Sequence, residues 1–277
     1  MRLGIDIGGT NIGIGVIDDS GLLLDSFFQK SFSKDDTLER TIEVLKSLIG
    51  SFFTKDVAGI GIGIPSVLDR QTGFVYNAIN IPPWKNVPLK AILEDHFGVP
   101  VRLNNDSNCF ALGAYAHFKE EQPASLAGIT LGTGVGLGLV VDGELYNGNN
   151  TGAGEIGCIP YLDADLETYC SSHFFSAHDT TCKKAAEAME RGDAEAKALF
   201  DEFGKHLSRL MSVVLYAYDP EMVVFGGGIS RAFPYFKEKM MSCLREDFIY
   251  PETLNKLKIR QLVCDDTALL GAANLDS

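Results

Sequence analysis

Apolar and polar positions in the first half of the chain follow the period of strands and then that of helices. Leu3, Ile5 and Ile7 alternate with smaller or polar residues, which predicts a strand with one buried face. Between residues 37 and 53 the apolar side chains recur every three or four positions, which predicts an amphipathic helix. We predict further strands at residues 12–18, 22–32, 57–64 and 99–103, and further helices at 89–97 and 107–118. The order of this half is therefore βββαβαβα.

The same order of elements begins again near residue 126. The second copy also opens on a hairpin, with a turn at Gly132-Thr133-Gly134 that parallels Gly8-Gly9-Thr10 in the first. We predict strands at residues 126–131, 135–141, 145–146, 222–225 and 257–263, helices at 194–218, 235–245 and 267–274, and an irregular stretch at 147–182. Two copies of one topology, each opening on a Gly-Thr turn, predict two lobes that face each other across a bound ligand.

Composition and charge exclude several classes of protein. The 277 residues are 45% apolar, as in globular proteins, and are long enough for two compact domains. The net charge of −13 argues against a nucleic-acid-binding surface or a polybasic membrane contact. No apolar run approaches the roughly 20 residues of a bilayer span, and Asp6 interrupts the first one, so we expect neither a membrane anchor nor a signal peptide. Six cysteines without a C-x-x-C pair indicate reduced thiols in a cytoplasmic protein.

Asp6 and the turn that follows it are the first candidate for chemistry. Asp6 stands in the middle of an apolar strand, where a carboxylate is costly to bury unless it is paired, hydrogen-bonded or near a metal. Gly8 and Gly9 permit a tight turn, and Thr10 and Asn11 add a hydroxyl and an amide. One interpretation is an ordinary hairpin. The other is a cradle for a phosphate group and its metal ion.

A set of further motifs extends over nearly the whole chain. In order, they are D-I-G-G-T-N (6–11), G-I-P (63–65), N-I-P-P-W (80–84), N-D-S-N (105–108), L-G-T-G-V-G (131–136), G-A-G-E-I-G (152–157), V-F-G-G-G-I-S (224–230) and D-D-T-A-L-L-G-A-A (265–273). With these motifs in this order the chain resembles the ROK sugar kinases, which belong to the sugar kinase–actin–Hsp70 fold group. The resemblance implies an α/β protein with the two-lobed ribonuclease H-like, or actin-like ATPase, fold and a duplicated βββαβαβα topology. It also implies a small lobe of residues 1–118 with the C-terminal helix 266–277, and a large lobe of residues 119–265.

Asp106 has two interpretations. It directly precedes a predicted helix, so it suits the N-cap position. Its neighbours Asn104, Asn105, Ser107 and Asn108 could each cap the helix, so that role does not require an aspartate. The resemblance implies that Asp106 is the catalytic base and that Asn105 contacts the sugar. A carboxylate facing a sugar hydroxyl can accept its proton as the oxygen attacks the γ-phosphate.

The resemblance distributes the ATP site over both lobes, with ATP and Mg²⁺ as the expected cofactors. It implies that Asp6 orients the Mg²⁺–phosphate group through water. The residues expected to bind phosphate through backbone N–H groups and hydroxyls are Gly8, Gly9, Thr10 and Asn11 in one lobe and Gly132, Thr133 and Gly134 in the other. The adenosine is expected at Gly226, Gly227 and Gly228, which follow a predicted strand; the alternative there is a plain tight turn.

The sugar site is also implied by the resemblance. The residues expected to bind the sugar are Asn80, Asn105, Asp106, Glu155 and Glu167. Trp84, in the N-I-P-P-W loop, is expected beside the same pocket. Family members carry a histidine where this chain has Cys158, followed by a cysteine-rich loop that holds zinc. Residues 159–166 contain neither cysteine nor histidine, so we expect no zinc site.

Other cysteines and histidines leave one alternative for a metal. The candidates for a substitute zinc site are Cys158, Cys170, His173, His178 and Cys182. Their spacings match no standard zinc pattern. Buried thiols and surface histidines are the other interpretation of this group.

Two classes of function are compatible with the sequence. The first is an ATP-dependent kinase for the 6-hydroxyl of a hexose, most simply glucose, with fructose, N-acetylglucosamine or N-acetylmannosamine as alternatives. The second is a non-catalytic sugar sensor, because ROK repressors share this body. Those repressors carry a DNA-binding winged helix before the first motif, which here begins at residue 6, and this chain retains Asp6 and Asp106. Both observations favour the kinase. The expected partners are a small-molecule sugar and ATP, in a homodimer without nucleic acid or membrane.

Overall fold

The computed structural model describes residues 1–275. In chain order, its first half consists of β1 (Arg2–Ile7), β2 (Asn11–Ile17), β3 (Leu23–Lys30), α1 (Leu38–Phe52), β4 (Ile60–Ile64), β5 (Leu68–Asp69), β6 (Phe74–Asn77), β7 (Lys85–Val87), α2 (Leu89–Phe97), β8 (Val101–Asn105) and α3 (Asp106–His117). The main sheet has the order β3-β2-β1-β4-β8, and β5, β6 and β7 form a small sheet beside it. The strands β1, β2 and β3 are antiparallel neighbours, whereas β4 and β8 run parallel to β1.

The second half repeats this arrangement. In chain order, it consists of β9 (Ser125–Leu131), β10 (Val135–Val141), β11 (Glu144–Leu145), β12 (Pro160–Tyr161), β13 (Ala164–Asp165), α4 (Leu166–Cys170), α5 (Ser172–Ala177), α6 (Cys182–Glu190), α7 (Ala194–Tyr218), β14 (Met222–Gly226), α8 (Phe233–Asp247), β15 (Lys258–Gln261) and α9 (Thr267–Ala273). Its main sheet has the order β11-β10-β9-β14-β15, again with an antiparallel hairpin followed by parallel strands. The predicted duplication is confirmed.

The longer elements that the sequence predicts lie within about three residues of their observed bounds, whereas most of the shortest strands and the helix α6 were not predicted. The helix α7 begins after Asp193, whose carboxylate accepts hydrogen bonds from the N–H groups of Glu195 and Ala196, and ends at Asp219 in the left-handed conformation. The strands β5, β6 and β7 and the hairpin β12–β13 were not predicted, and neither was α6, in which Ala185 is the one buried residue. Segments of two to four residues are too short to display an apolar period.

Each sheet buries its own hydrophobic core. The second core is centred on α7, where Phe200, Phe203 and Leu207 are fully buried and Phe203 packs edge-on against Phe236 of α8. The first core lies between the first sheet and the helices α1 and α2. Within residues 1–275 no helix, α7 included, is both long enough and apolar enough to cross a bilayer.

The helix α3 lies between the two sheets, in contact with both. It packs against α9, which returns from the second half to the first sheet, and against β9 and β10. The packing of α3 and α9 brings their backbones together, because a Cβ atom at Gly271 would overlap the carbonyl oxygen of Cys109. The hydroxyl of Ser107 also lies 3.2 Å from that of Thr130 in the second sheet. Asp106, the first residue of α3, therefore lies where the two halves meet.

The division of the chain into lobes at residue 118 stays a prediction. The first main sheet is built from residues 2–105 and the second from residues 125–261, with a short 3₁₀ helix at Lys119–Glu121 between them. Residues 276 and 277, the end of the predicted C-terminal segment 266–277, lie outside the described residues.

Candidate active site

A cleft of about 940 Å³ runs between the two halves of the molecule. The predicted site residues on its walls are Asp6, Gly8, Gly9, Thr10, Asn11, Asn80, Asn105, Asp106, Gly132, Thr133, Gly134, Glu155, Glu167, Gly227 and Gly228. These residues come from strand ends, turns, loops and the first turns of α3 and α4, so the fold gathers motifs that lie far apart in the sequence. Gly226 is the predicted residue that does not line it.

Asn105, and not Asp106, caps the helix α3. The side-chain oxygen of Asn105 accepts hydrogen bonds from the N–H groups of Ser107 at 2.9 Å and Asn108 at 3.4 Å. Asp106 accepts a hydrogen bond from Ser107 N–H through Oδ1 at 2.8 Å. Among the described residues, the hydrogen bonds to Asp106 all end on Oδ1, so Oδ2 is available to a ligand in the cleft. The geometry therefore leaves Asp106 able to act as a base.

Asp6 and Asp106 are two carboxyl groups in one poorly solvated region. Burial, together with a smaller effect of the nearby Asp106 carboxylate, raises the pKa of Asp6 to about 7. Burial also raises the pKa of Asp106, although the hydrogen bonds from Ser107 act against that change. Their closeness follows from the sheet, because Asp6 pairs with Gly63 in β4 and a Cβ atom on that glycine would lie 3.3 Å from Asp106 Cα.

These carboxyl groups fit a divalent cation that arrives with a nucleotide. Carboxylate oxygens are the ligands that Mg²⁺ prefers, and the raised pKa of Asp6 means that a nearby positive charge would favour its ionised form. Within residues 1–275 no group of three or more acidic, histidine or cysteine side chains is arranged to hold a metal. Asp6 is the residue here that could hold a Mg²⁺–phosphate group, directly or through water.

The glycine turn of the second half is held by Glu167. The Oε2 atom of Glu167 accepts a hydrogen bond from Val135 N–H at 2.9 Å, directly after the turn. A Cβ atom at Gly134 would overlap this carboxylate, whereas a Cβ atom at Gly132 would meet nothing within 4 Å. The N–H group of Ser172 supports the same turn from α5, donating to the Gly132 carbonyl at 2.9 Å. One predicted sugar ligand thus also contacts the predicted phosphate turn.

Gly134→Ala should lower the free energy of unfolding by roughly 1–3 kcal/mol, because the added methyl group displaces the Glu167 carboxylate from Val135 N–H. Gly132→Ala is the matched control in the same turn and should be neutral or slightly stabilising, because its methyl group enters open space. Chemical denaturation of both variants measures the difference. Equal stabilities would show that Glu167 does not need the space at Gly134.

The remaining sugar-site candidates lie beyond this turn. Glu155 precedes the 3₁₀ helix Ile156–Cys158, and its side chain is accessible from the cleft. Partial burial of its carboxyl group raises the pKa of Glu155, and the charges of Asp106 and Glu167 add to the effect. The thiol of Cys158 lines the same wall. Three acidic groups and one thiol therefore face the space in which a sugar would bind.

The hairpin β12–β13 occupies the stretch that lacks the family's cysteines. Its Tyr161 hydroxyl lies 3.2 Å from His206 Nδ1 on α7, and the Tyr161 ring packs edge-on against the rings of Tyr169 and His206. Cys170 is buried in the core of the second half, where desolvation raises its thiol pKa well above the usual value. Aromatic contacts with α7 hold this hairpin.

The N-I-P-P-W loop divides between the cleft and the core. Asn80 lines the cleft, but Trp84 is fully buried and packs against Phe32. The indole N–H of Trp84 donates a hydrogen bond to Thr41 Oγ1 at 2.7 Å in the first core. The expectation that Trp84 lies beside the sugar pocket is therefore wrong, because the largest apolar side chain of the loop is taken up by the core.

The wall of the cleft also includes the segment that follows β14. Gly227 and Gly228 line the cleft, whereas Gly226 is buried at the end of β14 beneath the ring of Phe110. Arg231 extends along the rim and forms an ion pair with Asp265 at 2.9 Å. Gly226 therefore makes room for a core side chain, and only the two glycines after it are available to a ligand.

A profile of the ROK family matches residues 2–276. The chain belongs to the ROK family. Its main sheets and interlobe cleft accordingly have the actin-like ATPase fold of ROK sugar kinases. This family membership rests on the whole chain and does not depend on any one motif.

Relatives named for two different sugars have similar sequence identity to this ROK protein. It is 28% identical over 312 residues to a glucokinase of Thermotoga maritima, covering 99% of this chain and 96% of the relative. It is 31% identical over 259 residues to an N-acetyl-D-glucosamine kinase of Vibrio cholerae, covering 83% and 85% of the two chains. A ROK family glucokinase from Streptomyces griseus, solved in complex with glucose and AMPPNP, is 26% identical with a TM-score of 0.82, covering 99% and 98%. These three relatives are kinases named for glucose or for N-acetyl-D-glucosamine.

Several cleft residues of this ROK protein escaped the sequence analysis. They include Ser66, Asn77, Thr130, Arg231 and Asp265. Arg231 follows the V-F-G-G-G-I-S motif directly and Asp265 opens the D-D-T-A motif, so their positions next to motifs were the available signal. The others come from strand ends and loops whose relation to the cleft depends on the tertiary fold.

Proposed function

We propose that this protein transfers the γ-phosphoryl group of ATP to the 6-hydroxyl of a hexose, with glucose as the first candidate. The observation that carries the proposal is the position of Asp106. It lies at the start of α3, on the cleft between the glycine turns of the two sheets, with one carboxylate oxygen available. Membership of a family whose relatives are sugar kinases supports the same reaction class.

In this reaction Asp106 is the general base. As the 6-hydroxyl oxygen forms its bond to the γ-phosphorus, Asp106 accepts the hydroxyl proton on Oδ2. The bond between the γ-phosphorus and the β,γ-bridging oxygen breaks, and ADP leaves with that electron pair. The raised pKa of Asp106 makes it a better proton acceptor than an ordinary aspartate, once it is ionised.

Phosphate binding depends on the backbone because the cleft is acidic. The acidic side chains on its walls are Asp6, Asp106, Glu155, Glu167 and Asp265. Among the described residues that line it, Arg231 is the only arginine or lysine, and Asp265 already pairs with it. The backbone N–H groups of the two glycine turns would hold the phosphate oxygens. Bound Mg²⁺ would supply the charge that offsets the phosphates, with Asp6 beside it.

An N-acetylhexosamine is the second candidate substrate. The N-acetyl-D-glucosamine kinase of Vibrio cholerae is as similar in sequence as the glucokinases are. The wall next to Glu155 carries Cys158, and a thiol is a poor hydrogen-bond partner for a sugar hydroxyl. A site with fewer polar partners rejects related sugars less strongly, because discrimination comes from groups that the wrong ligand leaves unpaired.

We expect glucose to be phosphorylated, with weak discrimination against other hexoses and N-acetylhexosamines. The measurement is kcat/KM from coupled ADP release with glucose, fructose, mannose, N-acetylglucosamine and N-acetylmannosamine. Cys158→His should leave the ratios within about threefold, because a lone imidazole there has no partner to orient its ring. A strong preference for one non-glucose sugar, with glucose inert, would refute the glucokinase assignment but leave the assignment as a sugar kinase in place. No ADP release with any sugar would refute both.

A further inference from the structure

The segment that carries Glu155 is tied to the opposite half of the molecule. It follows β11 of the second sheet, yet two of its buried side chains bind residues of the first half. The side-chain oxygen of Asn147 accepts a hydrogen bond from the amide of Asn104, at the end of β8, at 2.7 Å. Thr151 makes the second connection, four residues before Glu155.

Thr151 binds both backbone groups of one residue in the first half. Its hydroxyl accepts a hydrogen bond from Leu68 N–H at 3.1 Å and donates one to the Leu68 carbonyl at 3.3 Å. Leu68 belongs to β5, the edge strand of the small sheet, and is fully buried. The hydroxyl therefore satisfies backbone groups that water does not reach, in place of a neighbouring strand.

The backbone of Thr151 is strained. Its φ angle is 57°, in the left-handed region that β-branched residues rarely adopt, and the side chain is only 1% exposed. Glycine or asparagine would adopt this conformation more readily. Such strain persists where the surrounding contacts determine the conformation, and here the contacts are the two hydrogen bonds to Leu68.

Beyond Thr151 the chain soon reaches the second core. Ile156, the residue after Glu155, is 3% exposed and belongs to that core. Glu155 therefore lies between an attachment to the first half at Thr151 and an attachment to the second half at Ile156. Any change in the distance between these two attachments would move the Glu155 carboxylate relative to the cleft.

We propose that Thr151 is a positioning residue through which the first half of the molecule sets the place of Glu155 in the sugar site. The inference rests on the proposed function, since it assigns Glu155 to sugar binding. It adds that the affinity for sugar depends on a hydroxyl outside the cleft. Nucleotide binding does not depend on it, because Thr151 contacts neither glycine turn.

Thr151→Val tests this, because valine keeps the branched shape and lacks the hydroxyl. We expect the KM for sugar, and the calorimetric Kd for glucose, to rise by roughly tenfold or more, with the KM for ATP within twofold. Thr151→Ser retains the hydroxyl and should restore both sugar constants. Thr151→Gly also lacks the hydroxyl but relieves the left-handed strain, so it should show the same sugar defect. It replaces the valine variant in the test if the valine variant folds poorly.

Thr41→Val is the matched control. Thr41 lies in the first half and, like Thr151, is a buried threonine. Its hydroxyl donates to the Leu38 carbonyl at 2.7 Å and accepts from the Trp84 indole, away from the cleft. This variant should lower Tm without changing either KM. The inference is overturned if Thr151→Val and Thr151→Gly bind sugar normally, if both KM values rise equally, or if serine fails to rescue. If the wild type binds glucose without turnover, the proposed function fails, and calorimetry still decides the role of Thr151.

Discussion

Asp106→Asn should lower kcat by ~10²–10⁴-fold, the usual loss when a well-placed general base is removed. The amide keeps the shape of the carboxyl group and can still accept the hydrogen bond from Ser107 N–H, so folding and sugar affinity should stay close to the wild type. Steady-state ADP release, Tm and calorimetric sugar binding measure the three quantities. Asp247→Asn is a matched control, because Asp247 pairs with Arg209 on the surface of the second half.

The pH dependence of turnover separates a base from a structural residue. Because burial raises the pKa of Asp106, the wild-type kcat should fall as the pH is lowered through that raised pKa, when the base becomes protonated. The residual activity of Asp106→Asn should lack this acid limb. Turnover within a few-fold of the wild type, or an unchanged acid limb in the variant, would remove Asp106 from the mechanism.

Asp6→Asn should have two effects of opposite sign. Activity with Mg²⁺ and ATP should fall by about 10–100-fold, because a group that orients the metal and its phosphate is lost. Stability at pH 8 should rise by roughly 1–3 kcal/mol, because an ionised carboxylate no longer has to be held in a poorly solvated place beside Asp106.

The direction of the stability effect follows from the pKa values. In the folded protein the pKa of Asp6 is about 7, compared with 3.8 for an ordinary aspartate. The folded state therefore keeps a proton that the unfolded chain releases between about pH 4 and pH 7, and wild-type stability falls as the pH rises through this window. Asp6→Asn should match the wild type near pH 4 and exceed it at pH 8.

Asp18→Asn is a control in which the change in stability at pH 8 should have the opposite sign to that of Asp6→Asn. Hydrogen bonds from the Ser20 hydroxyl and Leu22 N–H hold the pKa of Asp18 below its usual value, so its ionised form stabilises the fold. That variant should be less stable than the wild type at pH 8. Denaturation of both variants at pH 4 and pH 8 makes the comparison. If the Asp6→Asn protein is no more stable than the wild type at pH 8, then holding the ionised Asp6 carboxylate costs the fold no free energy.

Local patterns in the sequence determined the duplicated topology. The alternation in β10 and the helical period of α7 are properties of neighbouring residues, and both elements have the predicted bounds. The motifs were also sufficient to identify the family, because their order along the chain is itself a property of the sequence. The candidate base Asp106 and the two glycine turns followed from the same motifs.

The tertiary structure decided what each motif residue does. Trp84 and Gly226 belong to motifs, yet the first is buried in a core and the second makes room for Phe110. Gly134 is a glycine because of Glu167, which lies 33 positions further along the chain. Contacts between residues far apart in the chain leave no periodic pattern in the sequence, so the sequence alone does not show which residues are in contact.

The electrostatic state of the site likewise depends on the fold. The raised pKa of Asp6 comes from burial and from a carboxylate that β4 and α3 bring beside it. The hydroxyl of Thr151 finds Leu68 83 positions away, in a backbone conformation that threonine does not favour by itself. Desolvation and long-range hydrogen bonds are set by the atoms that surround a group, and those atoms are assembled only when the chain folds.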